Sequence, residues 1–84
     1  MPTSIYHTRY AKLRVALVTV RKEARLTQVD LAERLGVGQS YVSKVERGET
    51  YVDLMMWVEW LVACGKVPGS YLDLILSQVS GIDR

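Results

Sequence analysis

The sequence predicts an all-α protein, a compact bundle of five helices in a single domain over residues 1–84. Three observations predict it. Apolar residues recur at spacings of three and four in successive segments, and no segment alternates with period two between turn signals. Helix starts and stops are marked: Thr27 and Asp53 are good N-caps, and Gly36, Gly48 and Gly65 are good C-terminal stops. At 49% hydrophobic residues, the composition is that of a chain able to bury a core rather than remain disordered.

Residues 1–5 read as a loose end. From Tyr6 onward Tyr10, Leu13, Leu17, Val20 and Ala24 form the apolar stripe of a first helix. Thr27 then caps a second, with Asp30 placing an acid in its first turn. Leu31, Ala32 and Leu35 line its inner face, and Gly36 ends it by permitting positive φ. A third helix spans about Gln39 to Arg47 with Val42 and Val45 inward, stopped by Gly48. Asp53 opens a fourth, closed after Cys64 by Gly65. On a helical wheel Leu54, Trp57, Val58, Leu61 and Cys64 form its core face. Pro68-Gly69-Ser70 starts a fifth, roughly Ser70 to Val79. Only Gly36-Val37-Gly38 joins the second and third helices, so short a link that the two must cross steeply, as in a helix-turn-helix.

Composition excludes several classes of function. One cysteine, Cys64, allows neither an internal disulfide nor a cysteine-based metal site. The only histidine, His7, lies near an end, and no paired carboxylates, phosphate-cradling loop or metal-ligand cluster is present. The chain is therefore read as non-enzymatic, with no cofactor and no metal. No apolar run approaches the ~20 residues needed to span a bilayer. Val15 to Val20 is short for a signal peptide, so the expectation is a cytoplasmic protein. Charge is uneven. Residues 1–50 hold nine Lys/Arg and five Asp/Glu, a balance of +4; residues 51–84 hold two and four, a balance of −2. A basic half joined to an acidic half fits a polyanion on one side, although a solvated imbalance would look the same.

The stretch TQVDLAERLGVGQSYVSKVERG resembles the Cro/phage-repressor-like helix-turn-helix family, the xenobiotic-response-element type with the lambda-repressor-like fold. Gln28, Leu31, Ala32, Leu35, Gly36, Val42, Val45, Glu46 and Gly48 all fall in register, and the likeness extends from about Leu13 to Leu76. It implies a sequence-specific DNA-binding regulator, a dimeric repressor or autoregulator on a pseudo-palindromic double-stranded operator, with residues about 27–47 as the DNA-reading helices. Gln28 would contact phosphate at its helix end. Gln39 would open the recognition helix and read a base, since an amide can donate to adenine N7 while accepting from N6. The family also lets such paired amides brace each other. Ser40 and Ser43 would approach bases or phosphates, Lys44 would take guanine or phosphate, and Arg47 would clamp phosphate. Tyr41 either stacks on the DNA or packs inward. Glu46, out of place beside phosphate, would pair with Arg21, seven positions before Gln28, as a structural ion pair. An antitoxin that binds a toxin protein and autoregulates its operon is the alternative from another class; a small toxin frame beside the gene would favour it.

Two positions depart from the family pattern. Gly38 stands where Ser or Thr commonly caps the recognition helix, a loss of a few tenths of a kcal/mol. Arg25 stands where glycine usually ends the first helix, so that helix either ends differently or carries left-handed strain. Finally, Met55, Met56 and Val62, with Glu59 among them, lie on the fourth helix away from its core face. Helix five and Val15 and Val18 add further apolar surplus. This marks a homodimer interface centred on Met55, Met56, Glu59 and Val62.

Overall fold

The computed structural model describes residues 5–71 and 73. Four helices follow in order: α1 (Ile5–Glu23), α2 (Gln28–Leu35), α3 (Gln39–Glu46) and α4 (Leu54–Ala63). A fifth, α5, begins at Pro68, two residues earlier than the sequence suggests, and is helical at 68–71 and 73. The described residues contain no strand. The loose end expected over 1–5 is corrected at Ile5, which already belongs to α1; residues 1–4, and the anticipated body of α5 over 74–79, lie outside the described residues.

Each boundary has a local cause. Thr27 and Asp30 form a reciprocal capping box: Asp30 N–H donates to Thr27 Oγ1 at 3.0 Å, and Thr27 N–H donates to Asp30 Oδ2 at 3.0 Å. These bonds hold the Asp30 carboxyl below its ordinary value. Its contribution to stability is in place above the unfolded carboxylate range and is lost as pH falls through the lowered native value. Asp53 caps α4 by accepting from Met56 N–H at 2.8 Å. Gly38 caps α3 with no side-chain bond, as the sequence implied.

The core is one cluster drawn from all four helices: Leu17 and Val20 of α1, Leu31 and Ala32 of α2, Val42 and Val45 of α3, and Trp57, Trp60, Leu61 and Cys64 in and just after α4. Ala32 is small where α2 meets its neighbours, which lets two short helices approach within a three-residue link. Trp60 is fully buried, and its indole N–H donates to the Leu17 carbonyl at 3.1 Å, tying α4 to α1. A buried tryptophan usually finds such a bond. Arg34 of α2 donates to the Ala63 carbonyl at 2.8 Å, satisfying an orphan group at the end of α4.

The α4 core face is rotated from the sequence reading. Trp60 belongs to it, whereas Leu54 is 72% exposed. Leu54 is the first residue of the helix, on the flank of the stripe that runs through Trp57, Leu61 and Cys64, and it projects past the edge of the packed cluster. Val58 is half-buried. Burial raises the Cys64 thiol pKa, consistent with a packing role.

At Arg25 the chain takes the strained alternative. Its φ is +63°, the single non-glycine residue with positive φ among the described residues. Arg25 N–H bonds the Lys22 carbonyl at 2.9 Å and Leu26 N–H bonds the Arg21 carbonyl at 3.2 Å, the pattern in which the residue after a helix turns left-handed. Arg25→Gly relieves that strain but loosens the unfolded chain, so it should stabilise the fold by about 0.5–1 kcal/mol. Thermal denaturation should show a Tm rise of roughly 2–8 °C; an unchanged or lower Tm would mean that the turn stores no strain.

Candidate nucleic-acid interface

Glu46 ends α3 with its side chain only 7% exposed, facing Arg21 of α1 at 11%. The pair is bidentate: Arg21 Nε donates to Oε2 at 2.6 Å and Nη2 donates to Oε1 at 3.0 Å. Arg21 Nη1 also donates to the Leu26 carbonyl at 2.8 Å, holding the turn between α1 and α2. The hydrogen bond to Glu46 raises the Arg21 pKa against the opposing effect of burial. Arg14, two turns earlier on α1, reaches the same place from the other side and donates to the Glu46 main-chain carbonyl at 3.0 Å. Two arginines seven residues apart thus grip the last residue of α3, one by its carboxylate and one by its backbone. The sequence reading missed Arg14; its spacing from Arg21 along one helical face was the available signal.

The network continues outward. Gln28 Nε2 donates to Glu46 Oε1 at 2.9 Å, and Gln39 Nε2 donates to Gln28 Oε1 at 2.7 Å. A chain of side chains therefore runs Gln39, Gln28, Glu46, Arg21, from exposed to nearly buried. The mutual bracing of the glutamines implied by the resemblance is present, and the direct bond from Gln28 to the carboxylate is an addition to it. Gln39 still has its carbonyl oxygen and one N–H free of this chain.

Around Gln39 the exposed end of α3 is polar. Ser40 and Lys44 are exposed, and Ser43 is half-exposed. Tyr41 is half-buried with its ring against the core, and desolvation raises its pKa. Arg47, just past the helix, is exposed and engaged: Nε and Nη2 donate to Glu49 at 2.9 and 3.0 Å, and Nη1 donates to Ser43 Oγ. Behind this surface Tyr10 of α1 anchors the loop after α3, its hydroxyl donating to the Thr50 carbonyl at 3.5 Å and accepting from Val52 N–H at 3.2 Å. Met55 and Val62 are 63% and 59% exposed on the opposite side of α4 from Trp60, with Glu59 exposed and Met56 half-buried between them.

Two short helices joined by a three-residue turn, the second presenting an exposed polar end, define a helix-turn-helix protein. The helix-turn-helix family model matches residues 17–72. The solved structure of an XRE-family like protein from Pseudomonas syringae pv. tomato str. DC3000 superposes with a TM-score of 0.84 at 34% identity, covering 88% of this chain and 90% of that one. The clp gene regulator ClgR from Corynebacterium glutamicum gives a TM-score of 0.71 at 28% identity, covering 86% and 76%. Comparison with curated proteins gives no match. The chain belongs to the XRE-type helix-turn-helix family of DNA-binding transcriptional regulators. No helix among the described residues is long and apolar enough to cross a membrane.

Glu46→Gln removes the charge that Arg21 needs while keeping one acceptor oxygen. It should destabilise the fold by about 3 kcal/mol, the low end for breaking a shielded pair. Chemical denaturation measures this; a loss within the ~0.5 kcal/mol of ordinary surface changes would show the pair to be dispensable.

Proposed function

We propose that this chain is a dimeric, sequence-specific repressor or autoregulator that reads a pseudo-palindromic operator with α3, in the cytoplasm. The observation that carries the reading is the side-chain chain from Arg21 to Gln39. A free glutamine has several rotatable bonds, and ordering them on DNA costs affinity. Here Gln28, itself fixed by a shielded carboxylate, holds Gln39 before DNA arrives. The remaining carbonyl and N–H of Gln39 form the donor–acceptor pair that matches adenine N6 and N7 in the major groove.

The other residues divide between positioning and reading. Gln28 keeps one N–H for phosphate at the start of α2, where the backbone N–H groups also favour an anion. Ser40 and Lys44 reach base edges or the adjacent backbone, Ser43 and Arg47 the phosphates, and the half-buried ring of Tyr41 the sugar edge. The basic balance of residues 1–50 supports the same side for DNA, and the acidic balance of 51–84 keeps the opposite side away from it.

One recognition helix covers only a few base pairs, so a regulator of this size gains selectivity by pairing across half-sites ~34 Å apart. The exposed Met55 and Val62, with Met56 and Glu59, supply the surface for a second copy. The further apolar residues 72, 74–76 and 79 lie outside the described residues. A dimer bound across a promoter blocks it by occupancy.

Two experiments test this. Gln39→Ala should cost about 1–3 kcal/mol on the selected site and relax preference at one base pair, whereas Gln28→Ala, which removes a phosphate contact and also frees Gln39, should weaken binding to random DNA as well as to the selected site. Equal loss on selected and random DNA after Gln39→Ala would remove Gln39 from base readout. Sedimentation equilibrium should find the wild type dimeric at tens of micromolar, the range of a modest interface, and Met55→Glu/Val62→Glu monomeric. A monomeric wild type, with or without operator, would overturn the dimer.

A further inference from the structure

Arg47, assigned above to clamp a phosphate, is already clamped. Its Nε and Nη2 edge, the two parallel donors that suit an oxyanion, is filled by both oxygens of Glu49. Its Nη1 is held by Ser43 Oγ. The carboxylate sits where local electrostatics disfavour it. Gly48, at φ +79°, turns the chain so that Glu49 N–H bonds the Lys44 carbonyl at 2.8 Å. This places Glu49 at the negative end of the α3 dipole. A Cβ on residue 48 would stand 3.1 Å from Arg14 Nε, so the turn is fixed from below as well. Arg47 is the main group that compensates the charge, with a smaller contribution from Lys44. Each partner holds the other ionised: the hydrogen bond from Arg47 lowers the Glu49 pKa, and the bond to Glu49 raises that of Arg47.

We propose that Glu49 is an internal surrogate for a DNA phosphate, occupying the Arg47 fork in the free protein and lowering affinity for DNA of every sequence. This rests on the reading of α3 as the DNA-facing helix. Carboxylate and phosphodiester present the same two-oxygen edge to a guanidinium, so they compete for one set of donors. The pair is about half exposed, 54% and 52%, so a phosphate can displace the carboxylate without desolvating a buried charge. The exchange taxes selected and random sites alike. It leaves the contribution of Gln39 to discrimination untouched and suppresses retention on random DNA. Glu49 thus sets the affinity level on which base readout operates.

The test is a double-mutant cycle on a random-sequence duplex, followed by fluorescence anisotropy with wild type, Glu49→Gln, Arg47→Met and the double variant. Glu49→Gln should tighten binding about two- to fivefold, the worth of an exposed ion pair. In the Arg47→Met background the same change should bring a clearly smaller gain, because no fork remains to be released. An equal gain in both backgrounds would reduce Glu49 to general repulsion of phosphate and overturn the proposal. A loss of affinity in Glu49→Gln would overturn it too, by making the carboxylate an orienting partner of Arg47. A wild type that binds while the cycle is additive removes this proposal alone. A wild type that ignores DNA even at low salt removes the DNA-facing reading of α3 and the proposal with it.

Discussion

A single shielded carboxylate governs the arrangement of this molecule. Glu46 must have a cation, and the cation that reaches it comes from α1. An ion pair of this kind adds little net stability, because desolvation offsets most of the attraction. Its value is in what it excludes. Any docking of α3 that separates Glu46 from Arg21 leaves an uncompensated charge away from water. Apolar contacts alone are more permissive: Val42 and Val45 could slide against Leu17 and Val20 at modest cost, since such surfaces are non-directional. The bidentate geometry, with Arg14 on the adjacent carbonyl, fixes the angle and register of α3.

From this constraint the outer surface follows. The carboxylate has an oxygen left for Gln28, and Gln28 has one for Gln39. The polar chain therefore joins the interior of the scaffold to the exposed start of α3 without a mobile link. The rest of the protein keeps that joint rigid. Trp60 anchors α4 to α1, Tyr10 pins the loop that leaves α3, and the capping box fixes the end of α2 from which Gln28 projects. In this way a chain with a small core holds an exposed glutamine in place, a task for which a loop would be too loose.

The parts of this arrangement that were readable in the sequence are those carried by local rules. Spacing gave the helix faces of α1, α2 and α3, Thr27 and Asp53 gave the starts of α2 and α4, and the three-residue link gave the helix-turn-helix. The resemblance supplied the Arg21–Glu46 pair, and Arg25 flagged a strained turn because glycine was missing where a left-handed residue is needed. The failures share a cause. Leu54 and Trp60 have similar apolar character, and a ten-residue helix with many large apolar groups offers more than one face; only tertiary packing chooses between them. Arg14 reaches a main-chain carbonyl, which leaves no mark on the partner's side-chain identity. The Arg47–Glu49 pair depends on the direction of the turn at Gly48. A carboxylate two residues from an arginine lies within its reach only when that turn brings it back.

The claim that most of this depends on is that the shielded carboxylate of Glu46 orders the reading amide before DNA is present. The direct measurement is 15N relaxation of the Gln39 side-chain amide in the free protein. If the chain through Gln28 to Glu46 holds, the Gln39 Nε2 order parameter should approach that of rigid backbone, about 0.85; a value below about 0.6, typical of a freely moving group, would contradict it.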